Sequence, residues 1–430
     1  MAGNWPLVRL SELVTKIGSG ATPRGGAEAY LENGPFALIR SQNVLDFEFK
    51  YDGLAYIDDL QAKQLEGVSV ESGDILINIT GDSVARVCIV DPEVLPARVN
   101  QHVSIIRADP AELNQRYLFY VLASPVFKQH LLSIAGSGAT RNALTKGDLE
   151  KVMVPRPSLS EQASISSLLG SIDDRIDLNR RMIASLEEVA RTLFKDWFVD
   201  FNPVRAKIAG VGKNNAADFS AIFPSNFGED RFPEGWGATA DDIGLNIRET
   251  VLPGELPPET PYVGLEHIGK RRLVLTEIGT AKEVDSQKAV FKVGDLLFGK
   301  LRPYFHKVAI ASSDGICSTD IFVFRPKPGI SRMFLYLAFS SDAFVAHASR
   351  PQEGTRMPRA DWGFMRSQIM AKPDLRVMTA FDDAVEPLIT EAQKAARQNQ
   401  TLAEVRDVLL PQLISGEIRV KDAESVVEAA

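Results

Sequence analysis

Two stretches of the chain carry mainly apolar side chains at alternating intervals of four and three positions. The first consists of Ile165, Leu169, Ile172, Ile176, Asn179, Ile183, Leu186, Ala190, Leu193 and Trp197. The second consists of Phe381, Val385, Leu388, Ala392, Ala395, Asn399, Leu402, Arg406, Leu409 and Leu413. This spacing is typical of the seam of a coiled coil. It predicts two helices of about 38 residues, each roughly 55 Å long.

Both predicted helices are longer than a compact domain of this size needs. We therefore expect them to pair with each other in antiparallel orientation, although a helix that packs only on its own domain produces a similar stripe. Asn179 and Asn399 either fix the register of the pair or are tolerated there. Pro387 and Pro411 each remove a backbone hydrogen bond, which predicts a kink or an irregular turn in the second helix.

The remaining sequence alternates short apolar runs with Gly and Pro turns, which is typical of an α+β fold. We expect strands at Phe36–Ile39, Asp74–Thr80, His102–Arg107, Tyr262–Leu265, Asp295–Phe298 and Ile321–Arg325. We expect helices at Arg116–Leu132 and Arg332–Ser349.

The order of these elements repeats along the chain with a period of roughly 216 to 221 residues. The segment Ser72–Ile77 has its counterpart in Val293–Phe298, and both contain a Gly-Asp step before an apolar strand. Met153–Pro157 similarly matches Ile369–Pro373, just before each long helix. The chain is therefore predicted to hold two copies of one globular segment, each followed by a long helix, in a pseudo-two-fold arrangement.

The repeat and the long helices together predict the domain organisation. The predicted parts are a first globular domain (1–157), a first long helix (158–201), a linker (202–231), a second globular domain (232–373), a second long helix (374–416) and a C-terminal tail (417–430).

Composition and charge narrow the class of protein. The formal net charge of −8 argues against non-specific coating of nucleic acid but leaves room for local basic surfaces. Residues 1–150 carry an acidic excess of about five charges, and residues 232–372 a basic excess of about two. Neither Cys88 nor Cys317 lies in a zinc-ligand pattern. Without a long apolar run or a secretory pattern, we expect a cytoplasmic protein with no membrane contact.

Several short motifs, in their order along the chain, resemble a known family. They are Trp5–Leu10 with Gly20–Pro23, Gly73–Leu76, Val154–Pro157 leading to Glu161–Gln162, Leu193–Phe201, and Leu410–Ile418. In this order they are similar to the DNA specificity subunits of type I restriction-modification systems. The resemblance covers nearly the whole chain, but the second segment, which begins at Phe232–Trp236, lacks the Thr-Pro loop of the first.

The resemblance implies two target-recognition domains that each read one half of a split DNA sequence. It implies long helices that set the distance between the halves and dock two modification subunits. These partners would methylate adenine with S-adenosylmethionine, and a restriction and translocase subunit would join them for cleavage. The chain itself would bind double-stranded DNA and hold no cofactor or metal.

Polar and basic residues in the predicted loops are the candidates for DNA contact, because Asn and Gln pair with adenine and Arg with guanine or phosphate. The candidates of the first segment are Thr22, Arg24, Arg40, Gln42, Asn43, Arg86, Asn100, Gln101, Thr140, Arg141 and Asn142. The alternative for any single amide among them is that it serves only the backbone of a turn.

The candidates of the second segment are more basic. They are Lys270, Arg271, Arg272, Lys300, Arg302, Tyr304, Thr355, Arg356 and Arg359. Phosphate contact is the simplest function for these residues, whereas charged runs such as Lys270–Arg272 are more often solvated surface.

The sequence gives no support for catalysis by this chain. It contains no phosphate-binding loop of the GxxxxGK[ST] type, and Asn202-Pro203-Val204 lacks the second proline and the aromatic residue of a methyltransferase motif. Asp295 and Lys300 superficially resemble a nuclease motif, but Asp295 is better explained as a turn residue. The alternative to DNA recognition is a non-catalytic scaffold whose paired helices organise protein partners.

Overall fold

The structure, a computed structural model, describes residues 5–136, 142–210, 219–350 and 358–423. It divides into two compact units, one formed by Met1–Ile176 with Thr401–Ala430 and the other by Asp177–Gln400. The boundary between the units therefore falls inside both long helices.

The first unit contains short strands and helices before the first long helix. Its strands are β1 (Leu7–Arg9), β2 (Val14–Ser19), β3 (Phe36–Ile39), β4 (Val44–Leu45), β5 (Glu48–Phe49), β6 (Ala55–Ile57), β7 (Ile75–Asn78), β8 (Val87–Ile89), β9 (Ala97–Val99), β10 (Val103–Ala108) and β11 (Met153–Pro155). Its helices are α1 (Asp59–Gln64), α2 (Gln115–Ala123), α3 (Pro125–Gly136), α4 (Lys146–Lys151) and the first part of α5 (Leu159–Phe198).

The main sheet of this unit is antiparallel and has the strand order β2-β10-β7-β8. A smaller sheet has the order β6-β3-β9, in which β3 and β9 are parallel. The single helix expected at Arg116–Leu132 is two helices instead. Ser124 is extended at the end of α2 because the residue before a proline disfavours the helical conformation, and Pro125 then begins α3.

The second unit repeats this plan. Its strands are β12 (Gly237–Thr239), β13 (Gly244–Ile247), β14 (Thr250–Val251), β15 (Pro261–Val263), β16 (Gly279–Thr280), β17 (Lys288–Phe291), β18 (Leu296–Gly299), β19 (Val308–Ile310), β20 (Gly315–Cys317), β21 (Ile321–Pro326) and β22 (Ile369–Ala371). Its helices are α6 (Asn202–Ile208), α7 (Arg332–Phe339), α8 (Asp342–Ala348), α9 (Trp362–Met365) and part of α10 (Leu375–Ser415).

The main sheet of the second unit has the order β13-β21-β18-β19, which matches the first unit strand for strand. β15 and β20 are parallel, as are β3 and β9. The helix expected at Arg332–Ser349 is again two helices, and Ser341 caps the second by accepting a hydrogen bond from the Phe344 amide. The α+β fold and the duplication predicted from the sequence are therefore confirmed.

In the first unit, the amino-terminal part of α5 packs against the carboxy-terminal part of α10. Their apolar side chains share one core with the domain's helices and main sheet. From the two long helices this core takes Ile165, Leu169, Ile172, Ile176, Leu402, Leu409, Leu410, Leu413 and Ile414. Arg406 also lies in this contact, where its guanidinium binds the Asp173 carboxylate at 3.0 Å.

In the second unit, the remaining halves of α5 and α10 are antiparallel. Asn179 is buried, and its Nδ2 donates to Gln398 Oε1 and to Asn399 Oδ1, both at 2.9 Å. Ile183 packs nearby against Ala392, Ala395 and Ala396. Asn179 and Asn399 thus pair across the two helices, which suits the role of fixing the register.

Beyond Ile183 the buried face of α5 is wider than the predicted seam. Ala190 and Trp197 are buried as predicted and Leu186 and Leu193 are half-buried, but Glu187, Phe194 and Phe198 outside the seam are buried as well. Phe194 and Phe198 pack on Phe334 and Phe381, so this part of α5 faces its own domain as well as α10. α10 shows the same shift by one residue. Ile389 is buried, whereas Leu388, the predicted position, is partly exposed. Phe381 and Val385, also predicted to pair, are fully buried.

The second long helix continues without interruption through Pro387 and Pro411. Neither proline ends it, because the apolar side chains beside them, such as Ile389, Leu409 and Leu410, are buried and hold the segment in place. Ordered structure also continues into the segment predicted as a linker, where α6 lies. Within the described ranges, no single helix is long and apolar enough to cross a membrane, and only the bent pair α2 and α3 meets that criterion by length and composition.

Candidate nucleic-acid interface

Loops from distant parts of the sequence meet at one end of the main sheet in the first unit. The register places Ser19, at the end of β2, opposite Ser104, and Asn78, at the end of β7, opposite Val103. The segments that follow β2 and β7 and precede β10 therefore leave the sheet at the same edge. We call residues 20–24, 40–43, 79–86, 100–102 and 142–144 the first loop edge.

Backbone hydrogen bonds tie these loops together. The Gly20 amide donates to the Asn100 carbonyl at 3.1 Å, and the Ile79 amide donates to the His102 carbonyl at 3.0 Å. The Gly81 amide donates to the Asn142 carbonyl at 3.0 Å. Gly20 has to be glycine, because a Cβ there would lie 1.8 Å from the Val99 carbonyl oxygen.

The buried amides of this edge serve the backbone. Asn43 is fully buried, accepts from the Arg40 amide at 3.0 Å and donates to the Lys50 carbonyl at 2.9 Å. Asn100 is also buried, and its Oδ1 accepts from the His102 amide at 3.0 Å. The turn explanation that the sequence left open accounts for both side chains.

Other predicted residues of the first loop edge are exposed or partly exposed. Arg86 and Asn142 are exposed, and Arg86 has no side-chain partner among the described residues. Gln42 donates to the Gly53 carbonyl at 2.9 Å, and Arg40 donates to the same carbonyl and stacks over Tyr30. Thr22 and Arg24 are exposed on the segment that leaves the edge toward α1, where Gln61 donates to the Arg24 carbonyl. Thr140 and Arg141 lie outside the described residues.

Gln101 and His102 form a short polar chain at this edge. The His102 ring bonds Thr80 Oγ1 through Nδ1 at 2.5 Å and Gln101 Nε2 through Nε2 at 2.9 Å. The Gln101 Oε1 atom is buried and has no hydrogen-bond partner. An unused buried acceptor is costly, and a ligand donor at this position would satisfy it.

The second unit builds an equivalent edge with the same backbone bonds. The Lys300 amide donates to the Asp320 carbonyl at 2.7 Å, as the Ile79 amide does to His102. The Arg302 amide donates to the Pro358 carbonyl at 3.0 Å, as the Gly81 amide does to Asn142. We call residues 248–249, 300–307, 318–320 and 358–360 the second loop edge.

Side chains on the second loop edge are cationic and aromatic. Arg302 and Tyr304 are exposed, and the Arg302 guanidinium lies 5.8 Å from the centre of the Phe305 ring. Arg359 pairs with Asp320 at 2.7 Å. Burial lowers the pKa of Lys300, whose Nζ donates to the Thr319 carbonyl at 2.6 Å. Thr355 and Arg356 lie outside the described residues.

Arg248 belongs to the same surface and was not predicted from the sequence. It is exposed directly after β13, and its charge contributes to the lowered pKa of Lys300. It stands alone between an apolar strand and Glu249, so no basic run marks it. Only the pairing of β13 with β21 places it beside the other basic residues.

The basic run Lys270–Arg272 has structural partners. Arg271 pairs with Asp342 at 2.8 Å, and Arg272 lies 3.6 Å from Glu187 of α5. Lys270 Nζ lies 4.9 Å from the centre of the Phe305 ring. These contacts place the run between α5 and the second loop edge. They lie within the protein, so they account for the position of the run without DNA.

The repeated Gly-Asp step places a buried aspartate in an ion pair with a partly exposed arginine in both units. Asp74 binds Arg107 through two bonds of 2.7 and 2.8 Å, and Asp295 binds Arg325 through two bonds of 2.8 Å. Each carboxylate also accepts an amide from its own turn. Asp295 is therefore a structural residue, and within the described part of the chain no group of His, Cys, Asp and Glu could hold a metal ion.

Comparison with known proteins finds a matching family and relatives over the whole chain. Residues 3–188 match the family described as the type I restriction modification DNA specificity domain. The MjaIX specificity subunit of Methanocaldococcus jannaschii is 22% identical over 97% of this chain and 94% of its own length. The first part of the chain therefore matches this family, and over its whole length the chain is similar to type I specificity subunits.

Other relatives over most of the chain are specificity subunits as well. The HindI subunit of Haemophilus influenzae is 22% identical over 89% of this chain and 94% of its own. The EcoDI subunit of Escherichia coli is 25% identical over 72% of this chain and 71% of its own. The crystal structure of the S subunit from M. genitalium shares the fold, with a TM-score of 0.52, 14% identity and coverage of 95% of this chain and 96% of that one.

The names of these relatives agree with one further prediction. Each is a specificity subunit of a type I restriction enzyme, in line with the expectation that this chain is not itself an enzyme.

Proposed function

We propose that this chain is a type I specificity subunit that reads a bipartite DNA target, with each loop edge contacting one half. The observation that carries the proposal is the duplication of the edge. Equivalent backbone bonds at Gly81 and Arg302 support different side chains on the two units. A common frame with different side chains suits two different half-sequences.

The chemistry of the two edges supports different kinds of contact. Gln101, His102 and Asn142 on the first loop edge offer donors and acceptors of the kind that read base edges. Arg248 and Arg302 on the second offer exposed guanidinium groups, which bind phosphate or guanine. The exposed Tyr304 adds an aromatic face beside them.

The long helices suit the role of a spacer and a platform. The 40 residues of α5 span about 60 Å. We propose half-sites about one DNA turn apart, roughly 10 base pairs from centre to centre. Two modification subunits would dock on the helices and methylate adenine with S-adenosylmethionine, and a restriction and translocase subunit would join them.

Sequencing of methylated adenine in cells tests this proposal. The chain is expressed with the methyltransferase subunits of its own system in a host that lacks adenine methylation. We expect methylation at one split motif with a fixed spacer, and none when the specificity subunit is omitted. Methylation without a bipartite motif, or assembly without sequence-selective binding, would favour the scaffold alternative.

A further inference from the structure

A buried charge on α5 anchors one loop of the second unit. Glu187 is fully buried, and its Oε1 accepts the amides of Leu273 and Val274 at 2.7 and 2.8 Å. Arg191, one turn further along the helix, donates to the Arg271 carbonyl at 2.8 Å. The side chains of Glu187 and Arg191 therefore bind the backbone of this loop. The contact does not depend on the side chains of the loop.

The anchored loop continues to the second loop edge. The Arg271 amide donates to the His306 carbonyl at 2.9 Å, and His306 Nε2 lies 2.6 Å from the Ser340 carbonyl. His306 closes the turn Pro303–Phe305, which carries the exposed Tyr304. An unbroken series of contacts therefore links Glu187 to the candidate DNA-contacting loop.

The backbone of this series adopts a costly conformation. Arg271, Arg302 and His306 have φ angles of 53°, 47° and 54°, the left-handed region that residues other than glycine rarely occupy. Such residues persist where their surroundings fix them, and they concentrate at functional sites. Here the surroundings that fix them include the contacts of Glu187 and Arg191.

The first unit has a counterpart on α10. The Arg406 guanidinium is 3.6 Å from the centre of the Phe47 ring and also binds Asp173. Phe47 has a φ of 60° in the turn between β4 and β5, and its amide donates to the Val87 carbonyl at 3.0 Å. Val87 follows the exposed Arg86 of the first loop edge. Each long helix therefore holds a loop edge through one buried charged residue.

We propose that Glu187 and Arg406 are positioning residues that fix the orientation of each loop edge on its long helix, and thereby the half-site spacing that the subunit accepts. The inference rests on the proposed function, because spacing has meaning only for a split target. Neither residue lies on a loop edge, so neither is expected to choose bases.

The test separates spacing from base preference. Glu187→Ala and Glu187→Gln are compared with Glu391→Gln, an exposed acid on α10 that pairs only with Lys394 among the contacts described. Each chain is assembled with its methyltransferase subunits and presented with DNA in which the half-sites are fixed and the spacer differs from the native length by one or two base pairs. The readout is the ratio of methylation at native and altered spacers.

We expect Glu187→Ala to lower the preference for the native spacer about ten-fold, because several bonds to a charged group are lost. Glu187→Gln keeps one acceptor oxygen and should lower it about three-fold. Arg406→Lys, which keeps the charge beside Asp173 but not the planar contact with Phe47, should act in the same direction. Glu391→Gln should match the wild type, and all variants should keep the wild-type half-sites.

A uniform loss of methylation at every spacer would mark Glu187 as merely structural and overturn the inference, as would an unchanged spacer preference. If Glu187→Ala does not fold, Glu187→Gln decides the question. A wild-type complex that methylates no split motif would instead refute the proposed function.

Discussion

The paired aspartates of the Gly-Asp repeat predict a stability effect at single positions. Asp295→Ala should lower the free energy of unfolding by about 1 to 2 kcal/mol, because the Lys292 amide loses its acceptor and the partly exposed Arg325 loses its buried partner. Urea unfolding followed by tryptophan fluorescence measures it, since Trp197, Trp236 and Trp362 lie in the same unit. Asp82→Ala, at an exposed position of the first unit, should change stability by less than about 0.5 kcal/mol.

His306 predicts a dependence of stability on pH. Burial lowers its pKa below the ordinary value of 6.5, so the folded ring stays neutral where the unfolded ring binds a proton. The neutral ring therefore makes its full contribution to stability above pH 6.5, and this contribution is lost as the pH falls toward the folded pKa. The free energy of unfolding changes by at most about 1.4 kcal/mol per pH unit in this range.

Urea unfolding at several pH values between about 7 and 5 measures this contribution, because the range spans the reference pKa of histidine. His306→Asn, which tolerates the left-handed backbone, should remove it. His130→Asn, on the surface helix α3, is the matched control and should keep the slope of the wild type. Equal slopes in all three proteins would contradict the role given to His306.

Single residues show where sequence patterns stop being informative. Asn43 and Asn100 look as suitable for base recognition as Gln101, and only their burial assigns them to turns. Arg271 and Arg272 look like a phosphate-binding run, yet Asp342 and Glu187 bind them. These partners lie 71 or more residues away in the chain, and no local pattern reports such contacts.

At the scale of elements, the heptad pattern predicted the long helices well up to Ile183. From Glu187 onward α5 contacts its domain as well as α10, and a seam with one partner no longer describes it. The loop edges were visible only as separate polar segments. Their convergence follows from the strand order β2-β10-β7-β8, which depends on pairing between residues far apart in sequence.

The loop edges predict how DNA binding depends on salt. Arg302→Ala should weaken binding of the assembled complex to its target and reduce the slope of log affinity against log salt by about one, because one phosphate contact is lost. Arg86→Ala should do the same for the first half-site. Lys394→Ala, on α10 and paired with Glu391, is the control. A slope equal to that of the wild type in both edge variants would exclude electrostatic contact there.

For the molecule as a whole, the duplicated plan was readable from the repeat and the long helices, and the similarity to specificity subunits from motifs in order. The helix pair makes the spacer length testable. Deleting Ile176–Met182 together with residues 396–402 removes one heptad from each helix around the contact of Asn179 with Asn399. Each helix then shortens by about 10 Å while its buried face is kept.

We expect this double deletion to shorten the methylated spacer by about 3 base pairs, from the 3.4 Å rise of DNA. Sequencing of methylated adenine measures it. Deleting one heptad from α5 alone should abolish methylation, because the two helices no longer match. A spacer of native length after the double deletion would refute the spacer role of the helices.

The discontinuity of the first unit also sets an order of events during synthesis. Its core includes Leu402, Leu409 and Leu413, which are synthesised after every residue of the second unit. The second unit is continuous in sequence and has all its residues before then. Translation therefore supplies all residues of the second unit first, and the first unit lacks part of its apolar core until the end of α10 has been synthesised.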